Sequence, residues 1–194
     1  MTHQPLLFAE APLMPPGLVY APNLLDAAEQ AGLVAQIGQL PFKPFDFHGY
    51  IGRRKVISFG WTYDYDSRKV GQSQPMPDFL LPLRERAGGF AGIQPETLRQ
   101  VLINEYEAGA GVGWHRDRPM FGDVIGISLL SACRFRFRRA EGEGWERRNL
   151  TVEPGSAYLM RGPARDEWEH SVPPVEAHRY SVTFRTLRDQ GGIG

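Results

Sequence analysis

A mainly β fold, a double-stranded β-helix of jelly-roll type with flanking helices, is the class this sequence predicts. Three observations carry that expectation. Short alternating segments separated by turns recur beyond residue 100, 22 glycines and 16 prolines are spread along the chain, and helical spacing is confined to two stretches upstream. Strands so closely spaced close into a sandwich or barrel, and so many turn formers do not suit a helix bundle.

At 194 residues, with 42% hydrophobic and 11% aromatic side chains, the chain can close a full core and is too apolar for disorder. Residues 1–20 read as a Pro-rich N-terminal arm and 21–194 as one domain, with a catalytic core at about 95–187. Lys+Arg and Asp+Glu both number 22, so any case for a nucleic-acid partner has to be local. The single Cys133 rules out an internal disulfide and a cysteine zinc cluster. With no basic leader and no apolar run of membrane length, the expectation is a cytoplasmic protein with no membrane contact and no obligate protein partner.

Taken in order, NLLDAAEQAGLVAQIGQL places Leu25, Ala28, Leu33, Ile37 and Leu40 near helical spacing, with Asn23 as the cap. The aromatic run from Phe42 to Tyr65 reads as a hairpin with GRRK as its turn, and PMPDFLLPLRERAGG as a short helix ended by Gly88-Gly89. Six strands follow, in VLINEYE, DVIGISLL, RFRFRR, LTVE, AYLMRG and RYSVTFR.

The chemistry lies in polar residues that interrupt those strands. In VGWHRDRP, His115 and Asp117 are two apart, so on a strand they share a face and can offer one ion a ring nitrogen and a carboxylate. A third ligand has to come from His3, His48, His170 or His178. His170, between the strand AYLMRG and a Pro-Pro turn, is placed at a strand edge; His178 is set aside because it precedes an inward-facing Arg179 and so points the other way. Two histidines and one carboxylate form the facial triad of non-haem Fe(II) oxygenases, whereas a catalytic zinc would call for an H-E-x-x-H helix or a nearby general-base glutamate.

In HRYSVTFRTL the last strand puts Arg179, Ser181, Thr183 and Arg185 on one face and Tyr180, Val182 and Phe184 on the other. Two arginines six residues apart stand roughly 20 Å apart along a strand, so they reach one small dicarboxylate only by leaning together. Asn104 and Tyr106 add neutral hydrogen-bonding groups from one face of INEYE.

In this order, N-x-Y (Asn104, Tyr106), H-x-D (His115, Asp117), a distal His170 and R-x5-R (Arg179, Arg185) resemble the AlkB-like family of Fe(II)/2-oxoglutarate-dependent dioxygenases. The resemblance implies Fe(II), O2 and 2-oxoglutarate as cosubstrate. It implies further that Arg185 and Asn104 hold the carboxylate nearer the metal and Arg179 and Tyr106 the far one, with Ser181 offering a hydroxyl that can also donate to a carboxylate. In that family the cosubstrate becomes succinate and CO2 while an N-linked alkyl carbon is hydroxylated and leaves as an aldehyde. The sequence departs from the family at Pro119, where some members carry an acidic residue that reads the base, and at Ser181, where Asn is common.

The implied partner is alkylated DNA or RNA, and the implied role is repair of damaged bases. Trp61, Tyr63 and Tyr65 are the candidate stacking lid over a flipped base, and Arg136 and Arg138 in RFRFRR, near Arg147, Arg148 and the Arg53-Arg54-Lys55 cluster, are candidate phosphate contacts. Two alternatives stay open: a hydroxylase or demethylase of a protein or small molecule with the same oxidant, and a catalytically silent nucleic-acid-binding module.

Overall fold

Two antiparallel sheets face each other across a cavity, giving the jelly roll that the strand spacing predicts. The computed structural model describes residues 14–47, 50–63 and 70–188. Its strands are β1 (Leu18–Ala21), β2 (Lys43–Phe47), β3 (Tyr50–Tyr63), β4 (Val70–Gln72), β5 (Leu98–Tyr106), β6 (Val112–His115), β7 (Phe121–Leu129), β8 (Cys133–Glu141), β9 (Gly144–Val152), β10 (Ala157–Met160), β11 (Glu169–Val172) and β12 (Arg179–Leu187). Helices α1 (Ala27–Ile37), α2 (Leu81–Ala91) and α3 (Pro163–Asp166) join them. The larger sheet runs β1-β10-β7-β12-β5-β3-β2 with β4 attached to β3, and the smaller runs β6-β11-β8-β9. None of the helices among the described residues is long and apolar enough to cross a membrane.

Local chemistry moves some expected boundaries. α1 starts after Asp26 and not at Asn23. The Asp26 carboxylate accepts from the Glu29 N–H at 2.8 Å while the Glu29 carboxylate accepts from the Asp26 N–H at 2.9 Å, a reciprocal box that Asn23 cannot form. Gly88-Gly89 lies inside α2, which ends at Gly92 in the left-handed region at φ 66°. Gly88 is there for space, since a Cβ would meet Pro95 Cγ at 2.9 Å. GRRK is no turn but part of the first half of the 14-residue β3, and the hairpin pairing closes at Phe47 with Tyr50.

The larger sheet is covered on one side by α1 and α2. Ile37, Leu80, Leu83 and Ala87 pack there with Ile103, Ile125, Val182 and Phe184, all nearly solvent-free. Its other side meets the smaller sheet through Phe135, Phe137, Val152, Tyr158 and Met160. β12 lies between β5 and β7 and is buried on both faces, so its alternation sends one set of side chains to the helices and the other to the cavity.

Gly60 marks where β3 leaves this framework. It adopts φ 81°, and a Cβ there would meet the Arg99 carbonyl oxygen at 2.1 Å. Gly60 is the last residue of β3 paired with β5, and Trp61 to Tyr63 pair only with β4.

Candidate metal and cosubstrate centre

The smaller sheet brings two histidines together by register. His115 on β6 stands opposite His170 on β11, with ring centroids 4.3 Å apart. A register shift between His170 and Val172 lets both Val112 and His115 line the cavity. Asp117 follows β6, its carboxylate 3.8 Å from His115 Nε2. The ligand atoms of His115, Asp117 and His170 all lie within 4.8 Å of one another, close enough for one ion to collect them. His115 Nδ1 lies 2.9 Å from the Gly113 carbonyl oxygen, and donating there leaves Nε2, the nitrogen nearer Asp117, with its lone pair free for a metal.

The electrostatics suit ligation. Burial pushes the His170 pKa down to about 3, reinforced by His115, so the ring is neutral at physiological pH. His115 is 40% exposed at the cavity mouth, yet desolvation by the walls around it also lowers its pKa. For Asp117, burial favours the acid form, but Arg185 and the two imidazoles outweigh it and hold the carboxyl well below its usual range. His178 sits elsewhere, with Nε2 3.1 Å from the Glu105 carboxylate on the helix-facing side of the larger sheet, as its place one residue before Arg179 requires.

A cavity of about 1290 Å³ opens beside these ligands and is lined by Asn104, Tyr106, Arg179, Ser181, Thr183 and Arg185 among others. Tyr106 is directly opposite Arg179 across the β5/β12 ladder, and Asn104 is opposite Ser181. The two arginines are in different electrostatic states. Arg185 Nε donates to the Asp117 carboxylate at 3.1 Å and its Nη1 to Gln100 Oε1 at 3.0 Å. Arg179 is 2% exposed, donates to Ser128 Oγ at 3.2 Å and rests 5.3 Å from the Tyr106 ring centre, yet no carboxylate among the described residues pairs with it. A buried guanidinium without a counter-charge is costly unless an anion joins it. The Arg179 end of the cavity therefore carries an unmatched positive charge, while the His115, Asp117 and His170 cluster stands at the Arg185 end.

The remaining candidates separate. Trp61 is half-buried on the β3/β4 arm and does not line the cavity; Tyr65 lies outside the described residues, as does the side chain of Tyr63. Arg136 and Arg138 lie on the outer face of the smaller sheet, where Arg136 donates to Ser171 Oγ at 3.0 Å and Arg138 to Glu169 at 2.6 Å. Cys133 is buried and lines the cavity.

Several cavity residues escaped the sequence reading. Gln100 shares a face with Asn104 and Tyr106 by the same period of two, so it was available to that argument. Phe45 faces the cavity beside Arg54, a member of the basic cluster already singled out, with the guanidinium 3.9 Å from the ring centre. Arg165 is 4% exposed and donates to the Arg118 and Phe121 carbonyls at 2.6 and 2.9 Å, fixing the loop that leaves Asp117. No local pattern marks a buried arginine of that kind.

A family model described as the 2OG-Fe(II) oxygenase superfamily matches residues 17–185. An Arabidopsis thaliana protein named "Alkylated DNA repair protein ALKBH8 homolog" is 28% identical over 95% of this chain and 62% of its own length. The chain thus spans less than two thirds of that relative. The "Alpha-ketoglutarate-dependent dioxygenase AlkB homolog" of Caulobacter vibrioides is 31% identical over 77% of this chain and 74% of its own. The solved structure of OsALKBH1 superposes with a TM-score of 0.66 over 90% of this chain and 98% of that one, at 19% identity, which speaks for the fold. With the His/Asp/His cluster set beside a cavity that holds an uncompensated arginine, these matches lead to one conclusion: the chain belongs to the 2OG-Fe(II) oxygenase superfamily, and within it to the AlkB-like dioxygenases that use Fe(II), 2-oxoglutarate and O2.

Proposed function

We propose that this dioxygenase removes alkyl groups oxidatively from damaged bases of DNA or RNA. The observation that carries the reading is the make-up of the cavity walls. Beyond the ligands they include Arg54, Arg116, Arg118 and Arg188, with Phe45 and Trp114 as flat apolar surfaces. Cations suit a phosphate chain, and aromatic faces suit a base taken out of its stack.

In this reading His115, Asp117 and His170 hold Fe(II). Fe(II) held there would supply the oxidising chemistry, coupling conversion of 2-oxoglutarate and O2 to succinate and CO2 with hydroxylation of an alkyl carbon on nitrogen, which would leave as an aldehyde. Arg179, with Tyr106 and Ser181 beside it, takes the far carboxylate of 2-oxoglutarate. Arg185 and Asn104 take the near one, and Gln100 fixes the Arg185 guanidinium through its Nη1. Arg165 keeps the loop after Asp117 in register with the cavity. Trp61, Tyr63 and Tyr65, on and beyond the β3 arm, form a lid over the base in the same proposal, and Arg136 meets the strand outside while Arg138, paired with Glu169, supports that surface.

The test is succinate formation from 2-oxoglutarate with added Fe(II) and ascorbate. Stimulation by a methylated oligonucleotide, and none by a methylated peptide, is the expected result. The reverse order makes the chain a protein hydroxylase, and no turnover in either case makes it a silent binding module. Asp117→Ala is expected to abolish the turnover.

A further inference from the structure

We infer that the outer face of the smaller sheet is a second binding surface, a platform for the single-stranded nucleic acid that continues outward from the cavity mouth. This rests on the nucleic-acid reading above. Alternation on β8 and β9 puts Arg134, Arg136, Arg138, Trp145, Arg147 and Asn149 on that face, because Phe135 and Phe137 turn inward. The ladder sets Arg136 opposite Asn149 and Arg138 opposite Arg147.

Continuity with the catalytic cavity comes from Trp114. It lines the cavity, and its ring centre is 5.0 Å from the Arg136 guanidinium and 4.6 Å from that of Arg138. Arg138 is in turn 4.0 Å from the ring of Trp145, so both indoles rest against one guanidinium. Its charge is met by Glu169 at 2.6 Å, which leaves Arg138 a spacer that holds the rings in place. Trp145 is 41% exposed, one of the few large apolar side chains so placed among the described residues.

Charge argues for the class of partner. Arg134 and Arg147 are exposed and have no ion-pair partner among the described residues, and Arg136 bonds only the neutral Ser171 hydroxyl. The opposite side of the same hairpin behaves differently. There Arg139 and Arg148 share Glu146 at 2.9 and 2.5 Å, and Arg139 also reaches Glu167 at 2.9 Å. One side neutralises itself, whereas the other leaves cations beside an open indole. Alternating bases and phosphates match an indole that stacks and guanidinium groups that pair with anions.

The assignment gives Trp145 a base to stack on and Arg134, Arg136 and Arg147 the phosphates. Fluorescence anisotropy with the full chain tests it, using methylated single strands, DNA and RNA, of roughly four and roughly sixteen nucleotides. Trp145→Ala is expected to weaken the long strand about fivefold or more and leave the short one unchanged, and Trp145→Phe to restore most of the loss. Arg147→Glu is expected to flatten the salt dependence of the long strand by about one phosphate's worth, a slope change of roughly 0.7. Both positions are exposed, and thermal melts check that the variants fold.

Wild-type affinity for the long strand in both variants overturns the platform while leaving the cavity's substrate class intact. Equal loss for short and long strands also overturns it, since the effect then belongs to the cavity. Displacement of the long strand by polyglutamate as readily as by an unmodified oligonucleotide assigns the surface to acidic protein chains. If the wild type binds neither strand at low salt, the proposed substrate class fails first and the platform with it.

Discussion

The two faces of β12 are equally buried and opposite in chemistry. Tyr180, Val182 and Phe184 on one side and Arg179, Ser181, Thr183 and Arg185 on the other are all below 9% exposure. The first set packs with α1 and α2 and is stable as it stands, because apolar surface needs no partner beyond contact. The second set lines the cavity, and part of its polar capacity is matched by protein, as at Arg185 with Asp117, and part is left for an anion, as at Arg179. Burial alone therefore does not say whether a residue serves the fold or the chemistry. The state of its polar atoms does.

Changes along β12 sharpen that contrast, and the largest effect is on the helix-facing side. Phe184→Ala opens a void beneath the helices and is expected to lower stability by about 3–5 kcal/mol, read from chemical denaturation. A loss under about 1 kcal/mol means that this face is less well packed than its burial suggests. On the cavity side, Arg185→Ala is expected to weaken 2-oxoglutarate by about 2–5 kcal/mol, because a desolvated charge loses its partner. Titrating succinate formation against 2-oxoglutarate shows it, and an unchanged apparent affinity removes Arg185 from the cosubstrate site.

Ser181→Ala deletes one hydroxyl and is expected to weaken the cosubstrate by about 1 kcal/mol with little effect on unfolding, the reverse of Phe184→Ala. The smallest effect belongs just before the strand. His178→Ala is expected to leave turnover intact and shift stability by no more than about 0.5 kcal/mol, as befits a surface residue. His170→Ala is the matching control and should end turnover; the opposite outcome for this pair means that the wrong histidine has been read as the ligand.

Period two made most of this legible. The alternation in HRYSVTFRTL is the observed inward and outward split, and the same rule separated His170 from His178. The jelly roll followed from the spacing of short strands along the chain, and the arginine pair from a pattern local to one strand. What stayed hidden depends on space or on distant partners. The Gly88-Gly89 pair reads as a stop until Pro95 is seen against it. Asn23 loses the cap because Asp26 has Glu29 in reach. Arg165 shows no local sign of finding carbonyls 44 and 47 residues away. Trp114 and Trp145 were apolar letters in the sequence, and only the sheet register set both against Arg138.

Gly60 has a consequence for how such a fold diversifies. Up to that residue β3 is pinned to β5, the strand that carries Asn104 and Tyr106, and beyond it the chain answers only to β4. Insertions or substitutions past the glycine leave the β3/β5 ladder with all of its hydrogen bonds. Selection can thus rewrite the outer arm for a new target while the oxidising machinery is inherited unchanged, and the boundary between what is free to drift and what is held is a single hydrogen atom where a side chain would be.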